Sequence, residues 1–377
     1  MGNYGSDFAL DPAAVWVNAA HQGALPRVGA AAAREAVDWK LDPQQLTTER
    51  FRTVPERVRT SVARLLGAQA EDVFLSNGSS YGLHLLANGL PLTRGDGVLL
   101  MRGDFPSNVL PWLDLRKRGV DVQLLAPARH VLQPAEIEEH LTPATRVVCL
   151  SWVHSFSGWT LDIDAIGKMC RDNGTWLIVN ATQGLGPRTL DVSRTPVDAV
   201  VGSGWKWLCG PYGTGLGWLR RELRETLTYN RRYWLTMQTA DDLGTERDAT
   251  EDSPPDEARR YDIFGTANFF NFHAWGATLD YLHDCGVDAI RKHDQGLVDR
   301  LIAGLDPRRF ELISPAEGDP RSTLIFLTHR EAGRNREIYD RCIAERVHLA
   351  FRGGKLRVAP HLYNTDRDID RVLAALH

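Results

Sequence analysis

The chain has 377 residues, 43% of them hydrophobic, and a formal net charge of −4. This length exceeds a single core, so we expect two lobes, and the charge balance gives no electrostatic basis for nucleic-acid binding. The sequence has no apolar stretch long enough for a membrane span and no secretory leader, which favours a cytoplasmic protein. Its five cysteines are widely spaced without a Cys-x-x-Cys pair, as is typical of reduced thiols.

The N-terminal part predicts a short strand and two helices. Residues 13–26 read as a strand followed by a glycine-proline turn, and an alanine-rich helix follows at residues 27–38. Residues 47–66 predict an amphipathic helix with a basic face. His21 lies in the turn, where a histidine can either pack locally or face a ligand.

Residues 72–90 run from a buried strand through a small polar turn into a helix. The free N–H groups at the start of such a helix, together with the hydroxyls of Ser79 and Ser80, suit a phosphate. A simple helix cap is the alternative interpretation.

Further apolar runs alternate with helical patterns. Strands are predicted at residues 97–101, 120–125, 147–151 and 176–180, and helices at 134–140 and 164–173. This alternation predicts a mainly parallel sheet, in which ligands bind at the carboxyl ends of the strands. Polar or aromatic side chains lie at or just after the ends of three of these strands: Phe105, Ser155, Asn180 and Gln183.

Lys206 lies between Trp205 and Trp207, just before a glycine-rich run. An amine among large apolar rings is poorly solvated as a cation, so its pKa should fall and its neutral form can attack a carbonyl carbon. The alternative is an exposed lysine whose stem packs on a ring. The glycines at 213–217 lack dinucleotide-binding spacing and predict a tight connection and the start of a strand.

The C-terminal third predicts a polar, charged segment at residues 238–260 that we interpret as a mobile loop near the site entrance. A long helix is then predicted at 273–305, and a shorter one at 335–345. Strands are predicted at 322–327 and 347–351, and a closing amphipathic helix at 366–377.

The ordered runs at 72–90, 104–112, 176–186, 200–218 and 352–365 resemble those of class V aminotransferase-like enzymes, which use pyridoxal 5′-phosphate (PLP). The resemblance covers residues 12–376 and implies the α/β PLP-dependent transferase fold type I. A mainly parallel seven-stranded sheet is then expected in a large PLP-binding domain at 27–260. Residues 1–26 and 261–377 are expected to form a small α+β domain. The resemblance also implies a homodimer with shared active sites and an amino acid substrate.

The same resemblance assigns roles to individual residues. Lys206 matches the lysine that forms a Schiff base with the cofactor and acts as the catalytic base. Phe105 matches the residue that stacks on the cofactor ring, Gln183 the one that bonds its phenolic oxygen, and Arg357 the one that binds the substrate α-carboxylate, with His21 beside the substrate. The implied cofactor-binding residues are Ser79, Ser80, Phe105, Ser155, Asn180, Gln183, Ser203, Trp205, Lys206 and Thr266. Thr266 is expected to reach the neighbouring subunit's cofactor phosphate, and no metal is expected.

The chain departs from the family pattern at three points. Asn180 replaces the aspartate that keeps the pyridine nitrogen protonated, so the cofactor ring should be a weaker electron sink. Trp205 replaces a histidine, and indole N–H is a donor only. Cysteine desulfurases carry a nucleophilic cysteine before the carboxylate-binding arginine, but residues 348–357 contain none. We therefore do not expect a cysteine desulfurase.

These features lead to an expected reaction class. The favoured one is β-elimination on a cysteine conjugate by a C–S lyase, as in antibiotic assembly, in a branch with isopenicillin N epimerase-like enzymes. The alternatives are amino acid epimerisation, decarboxylation with oxidative deamination, transamination, and a non-catalytic partner protein on a degenerate PLP fold.

Overall fold

The computed structural model describes residues 4–229, 233–237 and 256–377. Its centre is a seven-stranded sheet with the strand order β2 (Val73–Ser76), β8 (Gly215–Leu219), β7 (Ala199–Ser203), β6 (Trp176–Asn180), β5 (Thr145–Ser151), β3 (Gly97–Met101) and β4 (Asp121–Leu125). Only β8 runs antiparallel to its neighbours; all other pairs are parallel. The predicted α/β fold with a mainly parallel seven-stranded sheet is therefore confirmed.

The central strands are buried on both faces, which explains why they are continuous apolar runs and not alternating ones. Successive side chains point to opposite faces, so Leu177 and Val179 enter one core cluster while Ile178 enters another. The helices that accompany this sheet are α3 (Ser79–Gly89), α4 (Pro106–Leu113), α5 (Pro134–Glu138), α6 (Ile163–Asp172), α7 (Arg221–Thr226) and α8 (Trp234–Met237).

Three longer helices pack together beside this sheet: α1 (Arg27–Leu41), α2 (Thr48–Leu66) and α9 (Phe269–Cys285). Phe269 on α9 meets the rings of Trp39 and Phe51 edge-on. The single helix predicted at 273–305 is wrong, because α9 ends before Gly286, whose φ is 83°, and α10 (Val287–Gly304) begins after it.

The second lobe contains an antiparallel sheet with the order β12 (Ala350–Arg352), β13 (Lys355–Val358), β10 (Ile325–His329) and β9 (Phe310–Leu312). A parallel pair, β1 (Val15–Trp16) and β11 (Val347–His348), joins the two ends of the chain. The strand predicted at 347–351 is thus divided between two sheets. The remaining helices, α11 (Asn335–Ala344) and α12 (Asp366–Leu376), and α10 contribute to a separate apolar core.

The domain boundaries stay a prediction. The core of the second lobe contains residues from both chain ends but none from α9, which packs against α1 and α2. Most of the predicted mobile segment, residues 238–255, lies outside the described residues. Within the described parts of the chain, no helix has the length and apolar character needed to cross a membrane.

Candidate active site

A cavity of about 380 Å³ lies where β5, β6 and β7 end, and the hairpin of β12 and β13 also contributes to its wall. All but one of the residues predicted from the sequence line it: His21, Ser79, Ser80, Phe105, Ser155, Asn180, Gln183, Ser203, Trp205, Lys206 and Arg357. Thr266 does not line it, and this residue is only 2% exposed within its own chain. The cavity size suits a small-molecule ligand.

Lys206 follows β7 and faces the cavity, with Nζ 5.4 Å from the centre of the Phe105 ring. Burial, together with the positive charges of Arg357 and Arg352, lowers the pKa of Lys206 to about 7. A large share of this amine is therefore uncharged at neutral pH. It can act as a nucleophile towards a carbonyl group and as a base.

The backbone on both sides of Lys206 is held by residues distant in sequence. Gly23 N–H donates to the carbonyl oxygen of Trp205 (2.9 Å), and His361 Nε2 donates to that of Trp207 (2.8 Å). His361 Nδ1 lies 2.7 Å from Asp294 Oδ2, and neither side chain is exposed. Although burial opposes its charge, the carboxylate of Asp294 raises the pKa of His361 to about 10. The lysine loop is thereby anchored to the second lobe.

Gln183 also holds this loop. Its Oε1 accepts from Trp207 Nε1 (2.8 Å), and its Nε2 donates to the carbonyl oxygen of Ala20 (3.1 Å). One Nε2 hydrogen remains for a ligand in the cavity.

The start of α3 forms a polar corner of the cavity. Ser79 N–H donates to Ser203 Oγ (3.2 Å), and the two serine hydroxyls lie 3.4 Å apart. Among the described residues no side chain of the preceding residue caps this helix, and Tyr81 N–H donates to the carbonyl oxygen of Gly78 (3.2 Å), so the N–H of Ser80 stays available to an anion. Gly78, at φ 149°, precedes it, and a Cβ there would come within 2.7 Å of the Trp205 ring. The close approach of the indole therefore requires glycine.

Asn180, at the end of β6, belongs to a buried chain of polar groups. Asn180 Nδ2 donates to Asn108 Oδ1 (2.8 Å), and Asn108 Nδ2 donates to Asp104 Oδ2 (2.9 Å) and Ser151 Oγ (2.7 Å). The Asn180 Oδ1 atom accepts from Thr182 N–H (3.0 Å). A backbone N–H at one end and a carboxylate at the other fix both amide orientations. Asn180 keeps one N–H and one oxygen lone pair for the cavity.

Arg357, on β13, is buried. Its Nη2 donates to Asn18 Oδ1 (2.9 Å), whereas its Nε has no partner among the described residues. Burial and the neighbouring Arg352 lower the pKa of Arg357 to about 10. Such a poorly solvated guanidinium is well suited to bind a carboxylate through two parallel bonds.

Sequence reasoning missed several residues that shape the site. Thr182 and Tyr212 line the cavity, Asp104 and Asn108 fix Asn180, and His361 holds the lysine loop. Tyr212 packs on Trp205, with ring centres 4.6 Å apart. A tyrosine among glycines was a visible signal for Tyr212, whereas nothing in the local sequence marks His361.

The residues present fit PLP. Lys206 supplies an amine that is partly uncharged, the start of α3 supplies the Ser80 N–H beside serine hydroxyls for a phosphate, and Phe105 supplies a flat apolar face close to the amine. The three groups line one cavity, which is large enough for a cofactor of this size.

Comparison with known proteins agrees with this geometry. Residues 44–372 match the family described as Aminotransferase class-V. The chain is 28% identical to a probable cysteine desulfurase of Methanothermobacter thermautotrophicus, covering 83% of this chain and 80% of the relative. It is 27% identical to isopenicillin N epimerase of Streptomyces clavuligerus, covering 97% and 95%.

Two solved structures share the fold. One is a mutant of C-DES with glycine covalently linked to the PLP cofactor (TM-score 0.90, 19% identity, coverage 100% and 99%). The other is the cystine C-S lyase C-DES in complex with its reaction product cysteine persulfide (TM-score 0.85, 20% identity, coverage 96% and 97%). With the family match extending over most of the chain, this protein belongs to the class V aminotransferase family of PLP-dependent enzymes, with fold type I.

Proposed function

We propose that this enzyme is a C–S lyase that catalyses β-elimination on a cysteine conjugate. The observation that carries the proposal is the absence of a thiol from the described lining of the cavity. All five cysteines belong to the described residues; four are buried and Cys285 is partly buried. Burial raises the pKa of Cys149, Cys170 and Cys342, which makes these thiols poor nucleophiles. Without a thiol to take sulfur from the substrate, desulfurase chemistry is disfavoured.

The hairpin before Arg357 supports the same conclusion. β12 and β13 are joined only by Gly353 and Gly354, both with positive φ as tight two-residue turns require. This turn has no room for a loop that could bring a cysteine to the cavity.

Each residue then has a proposed role. Ser79, Ser80, Ser203 and Trp205 would hold the cofactor phosphate, Phe105 would provide an apolar face for the ring, and Ser155, Asn180 and Gln183 would provide hydrogen bonds to the cofactor's polar atoms. When bound, PLP supplies an aldehyde that joins to an amine and a ring that withdraws electrons from the substrate Cα. Arg357 binds the α-carboxylate, and Lys206 Nζ takes the proton from Cα. Overall, conjugate and water give pyruvate, ammonia and a thiol.

The test is product analysis with the PLP-loaded enzyme. S-substituted cysteines and, separately, unsubstituted cysteine are incubated with the wild type and with Lys206→Ala, and pyruvate, ammonia and released thiol are quantified, together with any alanine. We expect the three products in equal amounts from the wild type and none from the variant. Alanine with released sulfur, which is the desulfurase outcome, would contradict the proposal.

An epimerase is the second candidate, because the similarity to isopenicillin N epimerase extends over 97% of this chain. Epimerisation needs a second group to return the proton from the opposite face. His21 lines the cavity, and burial together with Arg352 and Arg357 lowers its pKa. Exchange of D and L substrates without pyruvate would identify this activity.

We also propose a homodimer in which the segment around Thr266 approaches the partner's cofactor phosphate, although Thr266 itself is buried in its own chain. The segment around Thr266 exposes Phe264 (64%) and Phe270 (45%), which supports an interface there. Sedimentation analysis of the wild type and of Phe264→Ser tests this; a monomeric wild type would refute it.

A further inference from the structure

The cavity carries an excess of positive charge. Lys206, Arg352 and Arg357 line it, and its described lining contains no aspartate or glutamate. The titration of the lining groups reflects this excess. Burial and the positive charges of Arg357 and Arg352 lower the pKa of Lys206. Burial and the positive charge of Arg352 lower the pKa of Arg357. Nothing within the described lining balances the two guanidinium groups.

The two arginines lie on one face of the same hairpin. Arg357 pairs with Ala350 across β12 and β13, and Arg352 is two residues beyond Ala350, so both arginine side chains leave the hairpin on the same side. Arg357 is 4% exposed, whereas Arg352 is exposed and lies at the rim. The hairpin thus presents an inner and an outer guanidinium to one cavity.

A single substrate carboxylate does not provide an anionic partner for both Arg352 and Arg357. Arg357 has one bond to Asn18 and a buried Nε without a partner in the described structure. Among the described residues, Arg352 forms no ion pair, although surface arginines elsewhere do so with neighbouring acids, as Arg300 does with Asp370 (2.7 Å). The proposed phosphate corner is at the start of α3, in a different element. An α-carboxylate on Arg357 therefore leaves Arg352 available for a second anion.

Building on the proposed lyase function, we propose that the substrate is a cysteine S-conjugate whose sulfur substituent carries a second anionic group, a carboxylate or sulfonate, bound by Arg352. Arg357 then holds the α-carboxylate in the interior while Arg352 selects the substituent at the rim. An uncharged substituent leaves the Arg352 charge without a partner, so the enzyme discriminates against it.

Two conjugates of nearly equal shape test this proposal. S-carboxymethyl-L-cysteine carries the second carboxylate, and S-carbamoylmethyl-L-cysteine replaces it with a neutral amide. We measure kcat/KM for pyruvate release and, separately, binding by quenching of tryptophan fluorescence in the PLP-loaded enzyme. The wild type should prefer the acid about tenfold, the effect of a charge-assisted bond at a partly exposed site.

Arg352→Gln should abolish this preference, because it lowers kcat/KM and affinity for the acid conjugate and leaves those for the amide conjugate unchanged. Arg352→Lys should retain part of the preference. Lys355→Gln is the matched control, because Lys355 pairs directly with Arg352 on the same face of the hairpin and carries the same charge, yet does not line the cavity; it therefore separates contact with the substrate from the general positive field. It should keep the wild-type preference.

The results separate the two proposals. If Arg352→Gln lowers kcat/KM and affinity equally for the acid and the amide conjugate, both arginines bind the same carboxylate and the second-anion proposal is wrong. The proposal is also wrong if Arg352→Gln leaves the preference for the acid unchanged. If neither conjugate releases pyruvate but the acid binds better and this depends on Arg352, the lyase proposal fails while recognition of a second anion holds.

Discussion

Restoring the family's aspartate at position 180 should destabilise this protein. In Asn180→Asp, the carboxylate loses the N–H that bonds Asn108 Oδ1 and places one acceptor against another at a distance that is now 2.8 Å. Asn108 cannot turn to donate instead, because its Nδ2 already donates to Asp104 and Ser151. Asn108 is fully buried, so water cannot replace the donor that its Oδ1 atom loses.

The expected loss combines two effects. A lost neutral hydrogen bond costs about 1 kcal/mol, and a buried acceptor without a donor costs about 1–3 kcal/mol, so the free energy of unfolding should fall by roughly 2–4 kcal/mol. The new carboxyl group has a raised pKa in the folded state, because burial and the opposing oxygen disfavour its charge. The loss is therefore smallest in acid, where its O–H can donate to Asn108, and grows as the pH rises above the unfolded value of about 4.

Urea unfolding of the PLP-free protein at pH 5 and pH 8 measures this. Asn88→Asp is the control, since Asn88 is exposed and, within the described parts of the chain, its Nδ2 bonds only to the carbonyl oxygen of His84. If Asn180→Asp is as stable as the wild type at pH 8, or if its loss of unfolding free energy does not depend on pH, then the hydrogen bonds from Asp104 through Asn108 to Asn180 do not fix the two amides as described.

Three further predictions concern the lysine loop and its supports. Gly78→Ala should lower the free energy of unfolding by roughly 1–3 kcal/mol, because it adds a contact of 2.7 Å with the Trp205 ring to the backbone strain of φ 149°. Gly95 has φ 92° but open space around it, so Gly95→Ala should cost less. Equal losses of the two variants in urea unfolding would contradict this reasoning. The rate at which PLP-free enzyme captures PLP should rise with pH around a midpoint near 7, and Arg357→Gln should move that midpoint upwards by removing a neighbouring positive charge from Lys206; an unmoved midpoint in stopped-flow absorbance would refute the assignment. Asp294→Asn should lower the free energy of unfolding by about 3–5 kcal/mol at pH 7, because it leaves His361 buried without its carboxylate; Asp370→Asn, which breaks an exposed pair with Arg300, should cost less than about 1 kcal/mol. Because the folded pKa of His361 is raised, the stability that this pair gives the wild type should be complete below about pH 6.5 and lost as the pH approaches 10. Equal losses of unfolding free energy in the two variants would be inconsistent with this pairing.

The sequence was most informative where local pattern and ligand chemistry coincide. Buried apolar runs predicted the parallel strands, and positions at or just after their carboxyl ends, such as Asn180 and Phe105, line the cavity. The lowered pKa of Lys206 follows from its surroundings as predicted, although two arginines from the far end of the chain also contribute.

The remaining features depend on contacts between distant segments. Asn108 and Asn180 are 72 positions apart, and Asp294 and His361 are 67 apart, so no local periodicity connects them. The break at Gly286 was also missed, because the apolar pattern continues across it and only the backbone conformation separates α9 from α10. The burial of Thr266 in its own chain likewise results from tertiary packing.

The link from Asp294 through His361 to the Trp207 carbonyl has a consequence for protein engineering. Asp294 and His361 both lie C-terminal to the Lys206 loop that His361 holds. A chimera that joins the C-terminal portion of a relative to this chain after that loop must therefore keep both residues. Substrate scope is therefore more safely altered at the rim of the hairpin than by exchanging whole lobes.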